Sequence, residues 1–120
     1  MILHDWRSIE EEQLNPLLGR KVIHTRRMTV ARLRLSKGAV VPVHRHANEQ
    51  ITTLESGSLR FLIEGEERIL RAGEILEIPP DAPHGVEALE DSVAMDLFSP
   101  VREDWIRGED GYLRTGGAAR

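Results

Sequence analysis

Two histidines one residue apart, His44 and His46, stand in the stretch VPVHRHANEQI, residues 41–51. In an extended strand residues i and i+2 face the same way. The two imidazoles can therefore chelate one divalent ion, at roughly 2.0–2.1 Å if it is zinc-like. Gln50 is an even number of residues from both histidines and shares their face, whereas Glu49 faces away; a bulge would reverse that choice. A third imidazole is available at His84 in IPPDAPHGVEA, where Pro79, Pro80 and Pro83 stiffen the approach. The expected ligands are thus His44, His46, Gln50 and His84, around one divalent transition metal. Imidazole and amide donors suit nickel, zinc, iron or manganese alike. His4 and His24 fall outside these strands and are read as non-ligands. An isolated His-x-His on a strand is more often surface decoration. Here the pair follows a glycine turn and the run VVPV, and His84 follows a second glycine–strand–proline unit of similar design.

A second segment, AMDLFSPVREDW, carries further chemistry. Asp96 and Phe98 share one face of a strand, and Arg102 follows after a Ser-Pro turn. If that face lines an interior, Asp96 can act as acid or base. Phe98 then gives a stacking wall, and the planar fork of Arg102 can clamp a carboxylate. Phe98 alone would more often be core, and Arg102 a partner of Glu103 or Asp104. An aspartate in a strand interior is disfavoured by propensity and needs a reason.

The elements that must hold these residues read as strands. MTVARLRL sets Ala31, Leu33 and Leu35 against Arg32 and Arg34, the mark of a half-buried strand. LRFLIEGEERIL is a hairpin turning at Glu64-Gly65, with Leu59, Phe61 and Ile63 on one face. EILEIP and SVAMDLF alternate again. Short, closely spaced strands indicate an all-β sandwich or small barrel. Helix is expected only near the termini: SIEEEQLNPL has Ser8 three residues before Glu11, and SPVREDWI can make one turn. The expected organisation is one domain over residues 1–120. An N-terminal arm takes 1–19, the barrel 20–105 and a partly disordered tail 106–120, with RTGGAAR frayed.

The 120 residues carry a net charge of −4, so no basic field is available for nucleic acid or an anionic membrane. There are no cysteines, which excludes disulfides, thiolate catalysis and Cys-based zinc sites. No apolar run approaches membrane-spanning length, and a soluble, cytoplasmic protein is expected.

At these residues the chain resembles the cupin superfamily. The first cupin motif is matched by Gly38, His44, His46, Gln50 and Gly57 with every gap in place, and the second by Gly73, Pro79, Asp81 and His84. Residues 58–72 separate the motifs. Three positions depart from the pattern: Gln50 for Glu, Asp81 for Gly and Ala88 for Asn. The resemblance implies a jelly-roll-like double sheet with the metal inside one mouth. Replacing a carboxylate ligand by a neutral amide raises the net charge of a divalent site from about one to about two. That favours Lewis-acid chemistry on an anion over redox chemistry.

EQITTLESGSLRF, PHGVEALED and DLFSPVREDW further resemble the KdgF type of cupin. That family converts ring-form Δ4,5-unsaturated monouronates from pectin or alginate to open-chain keto-deoxyuronates. The resemblance implies metal ligation by His44, His46, Gln50 and His84, with Asp96, Phe98 and Arg102 in the active site. It also implies a small anionic sugar as partner. The rival expectations are another metal-dependent cupin enzyme, such as a small-molecule dioxygenase, and a non-catalytic metabolite-binding cupin. A homodimer is expected, with KVIHTRRMTVARL joining the partner's sheet.

Overall fold

The structure is a computed structural model and describes residues 1–115. Period-two alternation is realised as ten strands. They are β1 (Glu12–Asn15), β2 (Leu18–His24), β3 (Thr29–Leu35), β4 (Val40–His44), β5 (Glu49–Ser56), β6 (Ser58–Ile63), β7 (Glu66–Arg71), β8 (Ile75–Ile78), β9 (His84–Ala88) and β10 (Ser92–Ser99). Two short helices follow, α1 (Glu103–Ile106) and α2 (Gly111–Thr115).

The strands form two antiparallel sheets, ordered β1-β2-β3-β10-β5-β8 and β4-β9-β6-β7. The chain passes between them six times from β3 to β10: at β3–β4, β4–β5, β5–β6, β7–β8, β8–β9 and β9–β10. Ala31, Leu33 and Leu35 of β3 are buried, and so are Leu59 and Phe61 of β6. Alternation thus gives each sheet one apolar inner face, and the two faces close on each other.

The N-terminal stretch differs from the expected helix. A single 3₁₀ turn spans Trp6–Ser8, and the Asp5 carboxylate, not Ser8, caps it by accepting the Arg7 N–H at 2.8 Å. SIEEEQLNPL then runs into β1. Pro16 disfavours helical backbone at Asn15 and ends any helix there. Pairing with β2 satisfies the same backbone groups while burying Leu14 and Leu18. Strands therefore begin at Glu12, inside the segment read as an arm.

KVIHTRRMTVARL supplies most of β2 and β3. β1 covers β2 only as far as Arg20, while β3 pairs along the whole of it, so residues 21–24 keep one edge without a strand partner among the described residues.

The segment read as a partly disordered tail is docked as far as Thr115. Asp110 is buried and accepts from Arg20 Nη2 at 2.8 Å and Arg114 Nε at 3.1 Å. Asn15 Nδ2 donates to the Leu113 carbonyl at 2.8 Å. The remainder of RTGGAAR, residues 116–120, lies outside the described residues.

Turns are placed by backbone chemistry. Glu64 and Gly65 take φ of 49° and 82° at the β6–β7 hairpin, and Gly57 takes 92° between β5 and β6. An added Cβ would be in open space at Gly65 but only 2.5 Å from the Asp91 carbonyl at Gly57. Gly65→Ala should therefore cost about 1 kcal/mol of left-handed strain. Gly57→Ala adds a backbone clash and should cost about 3 kcal/mol. Urea denaturation of the two variants measures the difference, and equal midpoints would refute the close approach.

Candidate metal centre

His44 closes β4 and lies directly opposite His84, the first residue of β9. His46 is not on a strand. It sits in the connection that carries the chain from the four-stranded sheet to the six-stranded one. Strand parity between His44 and His46 is therefore not what joins them; the turn through Asn48 does. Asn48 is buried, donates to the Pro100 carbonyl, and offers its own carbonyl to His46 Nδ1 at 3.0 Å. Parity does operate within β5, where Gln50 points inward at 5 % exposure and Glu49 outward.

The ring nitrogens of His44, His46 and His84 that face the interior lie within 4.8 Å of one another. Each histidine has Nδ1 against a main-chain carbonyl: His44 on Pro42 at 2.8 Å, His46 on Asn48 at 3.0 Å, His84 on Ala82 at 2.8 Å. A carbonyl can only accept, so each Nδ1 carries the proton and each Nε2 presents a bare lone pair. Burial lowers the pKa of His44 and of His46 to about 4, against the raising effect of those carbonyls, and lowers that of His84 as well. All three are neutral at physiological pH, as metal ligation requires.

Gln50 Oε1 lies 3.0 Å from His46 Nε2, at the rim of the same cluster. Its amide is oriented by Thr52, whose Oγ1 accepts from Gln50 Nε2 at 2.9 Å. The Thr52 hydroxyl then donates to Asp96 Oδ1 at 2.6 Å. Register explains the line-up: on β5 and β10, Gln50 is the cross-strand partner of Phe98, and Thr52 of Asp96. The three imidazoles and the amide oxygen thus fit a divalent ion.

Asp96 is buried, and desolvation lifts its pKa to about 6 although Thr52 and Arg102 pull the other way. Phe98 is buried edge-on to the His46 ring, with centroids 5.6 Å apart. Arg102 is 1 % exposed, its guanidinium 4.6 Å from the Phe98 centroid and 4.3 Å from that of Trp105. Its fork is not open: Nε and Nη2 grip both oxygens of Asp104 at 3.0 and 2.8 Å. His4 and His24 stand apart from the cluster, and His24 Nδ1 contacts Thr29 Oγ1 at 2.8 Å.

Three residues at the site were not singled out in the sequence. Thr52 had a signal, since it shares the parity of Gln50 on the same strand. Tyr112 is the chain's one tyrosine, but it lies in the segment read as tail. Its ring stacks on His44 with centroids 4.4 Å apart, and its hydroxyl accepts from Arg102 Nη2 at 2.8 Å. Trp105 Nε1 donates to the same hydroxyl at 3.2 Å. These groups, with Leu113, line a partly open cavity of about 50 Å³ beside His44 and His84.

Comparison with known proteins agrees with this geometry. Residues 31–99 match the cupin domain model. The pectin degradation protein KdgF of Dickeya dadantii is 36 % identical over 98 residues, covering 79 % of this chain and 89 % of that one. The structure of KdgF from Halomonas sp. superposes with a TM-score of 0.82 at 31 % identity, covering 88 % of this chain and 98 % of that one. An RmlC-like cupin from Shewanella frigidimarina gives the same TM-score at 25 % identity, over 88 % and 96 % of the two chains. Two-sheet architecture, motif spacing and these likenesses together place the chain in the cupin family, among proteins similar to KdgF.

Proposed function

We propose that this cupin converts Δ4,5-unsaturated monouronates to open-chain keto-deoxyuronates, with one divalent ion held by His44, His46, Gln50 and His84. The observation that carries the reading is the hydrogen-bonded line from Gln50 through Thr52 to Asp96. Through it a buried carboxyl of pKa about 6 is linked to Gln50, which supports a proton-transfer role for Asp96. Similarity to a pectin degradation protein supports the substrate class.

A bound divalent ion supplies Lewis-acid polarisation of substrate oxygens. The chain's own residues do the rest. Asp96 accepts the proton of the ring hemiacetal hydroxyl; as the ring C–O bond breaks, that carbon becomes an aldehyde and the former ring oxygen an enolate. Delivery of the proton held by Asp96 to the alkene carbon turns the enolate into the ketone, so the net change is isomerisation. A carboxyl of pKa about 6 is suited to both directions of transfer near neutrality. Arg102 holds positive charge near the substrate carboxylate, and Phe98 packs against the sugar face and excludes water. The neutral Gln50 leaves the site more cationic than a carboxylate ligand would, which favours docking of an anion. The same reading takes the protein to be a cytoplasmic homodimer.

Asp96→Asn should abolish loss of ultraviolet absorbance from an unsaturated uronate while metal content stays unchanged; retained turnover would remove Asp96 from its role. Thr52→Val keeps the shape but frees the Gln50 amide to rotate. Loss of such an orienting partner typically weakens metal affinity about 10–100-fold, which competition with a chromophoric chelator will read out. Light scattering should return a dimer, and a monomer would contradict the assembly.

A further inference from the structure

The cavity beside the histidines is too small for the proposed substrate. Even a benzene ring occupies an engineered cavity of about 150 Å³, and ordinary ligand sites run to about 300–1,000 Å³. The volume here is about 50 Å³. Some wall must therefore move before a sugar ring can enter.

Most of the lining comes from strands locked in the two sheets, such as His84 and Val86 of β9 or Asp96 and Phe98 of β10. Tyr112 and Leu113 are different. They belong to α2, a five-residue turn of helix that is part of neither sheet. Besides packing, its anchors are the Asn15–Leu113 hydrogen bond, the Asp110 pairs with Arg20 and Arg114, and the Tyr112 hydroxyl.

Tyr112 also occupies the place a ligand would want. Its six-membered ring covers the face of His44, and its phenolic oxygen satisfies Arg102 Nη2. Arg102 and Trp105 are donors only, so the hydroxyl accepts from both, and its own proton has no acceptor among the described residues. An incoming carboxylate would replace this neutral acceptor on Arg102 with an ionised one, adding the attraction of opposite charges to the hydrogen bond.

We propose that the segment Asp110–Leu113 is a displaceable plug, with Tyr112 standing in for the sugar ring until an anionic ligand takes over Arg102. The identity of that ligand rests on the uronate reading; the plug does not. Ligand entry then releases the tyrosine instead of closing over it.

The single tyrosine allows a site-specific test on the metal-loaded protein. Nitration of Tyr112 by tetranitromethane is followed by mass spectrometry, with and without saturating galacturonate as a non-reacting uronate. Galacturonate should accelerate nitration several-fold; protection would overturn the plug and make Tyr112 a substrate contact. In parallel, Asp110→Asn cuts the anchor to Arg20 without touching the cavity. It should raise both basal nitration and the rate of metal extraction by dipicolinate several-fold, with the circular dichroism spectrum retained. Unchanged rates in that variant overturn the plug whatever the ligand. Faster rates combined with no galacturonate effect keep the plug and reject the uronate reading. Should Asp110→Asn fail to fold, Tyr112→Ala carries the dipicolinate comparison: removal of the plug side chain must speed extraction, and Tyr112→Phe, which keeps the ring but loses the hydroxyl anchor, must speed it less; an unchanged rate in Tyr112→Ala overturns the plug.

Discussion

A histidine clustered with two others can bind a cation only as neutral imidazole with a bare outer nitrogen, and a main-chain carbonyl enforces that state on each one here. Pro42, Asn48 and Ala82 supply those carbonyls, each two residues from the histidine it serves. Such contacts fix the tautomer and the ring rotation together. They also place demands on the backbone. Pro42 lies within β4, and Pro83 stands between Ala82 and His84, so restricted φ angles hold two of the three carbonyls in place. The third depends on Asn48, tied across to the Pro100 carbonyl near the end of β10.

The site needs both sheets. His44 and His84 face each other across β4 and β9 in one, while Gln50, Thr52, Asp96 and Phe98 come from β5 and β10 in the other. On the second sheet the polar line is a matter of register alone. A slip of one residue between β5 and β10 would separate Thr52 from Asp96 and turn the inward side chains outward. Apolar residues further along the same faces, Leu54 and Ala94 among them, resist that slip by being buried. Packing energy from the core thus also sets the chemistry of the mouth.

Buried charge is concentrated at the open end of the barrel. Arg102 is sandwiched near two aromatic faces and neutralised by Asp104, and Arg20 is paired with Asp110 while covering Trp105 at 4.5 Å. Taking one partner from such a pair leaves a desolvated charge, which is far costlier than losing a surface bridge. These pairs fasten the C-terminal residues over the mouth, and they give Asp96 a cationic neighbour that restrains the rise of its pKa.

The sequence by itself determined the class of fold, because period-two alternation and glycine-marked turns are local properties of the chain. Ala31, Leu33 and Leu35 are inward, and the hairpin turns at Glu64-Gly65. It also determined the family, since motif gaps are counted along the chain. The first strand was not legible: SIEEEQL suits a helix locally, and only pairing with β2 outweighs that preference. Nor was the geometry of the centre. His46 reaches the cluster from a crossover between sheets, Arg102 spends its fork on Asp104, and Tyr112 arrives from the far end of the sequence. Those arrangements depend on which distant segments meet, and long-range packing leaves no periodic trace in a single sequence.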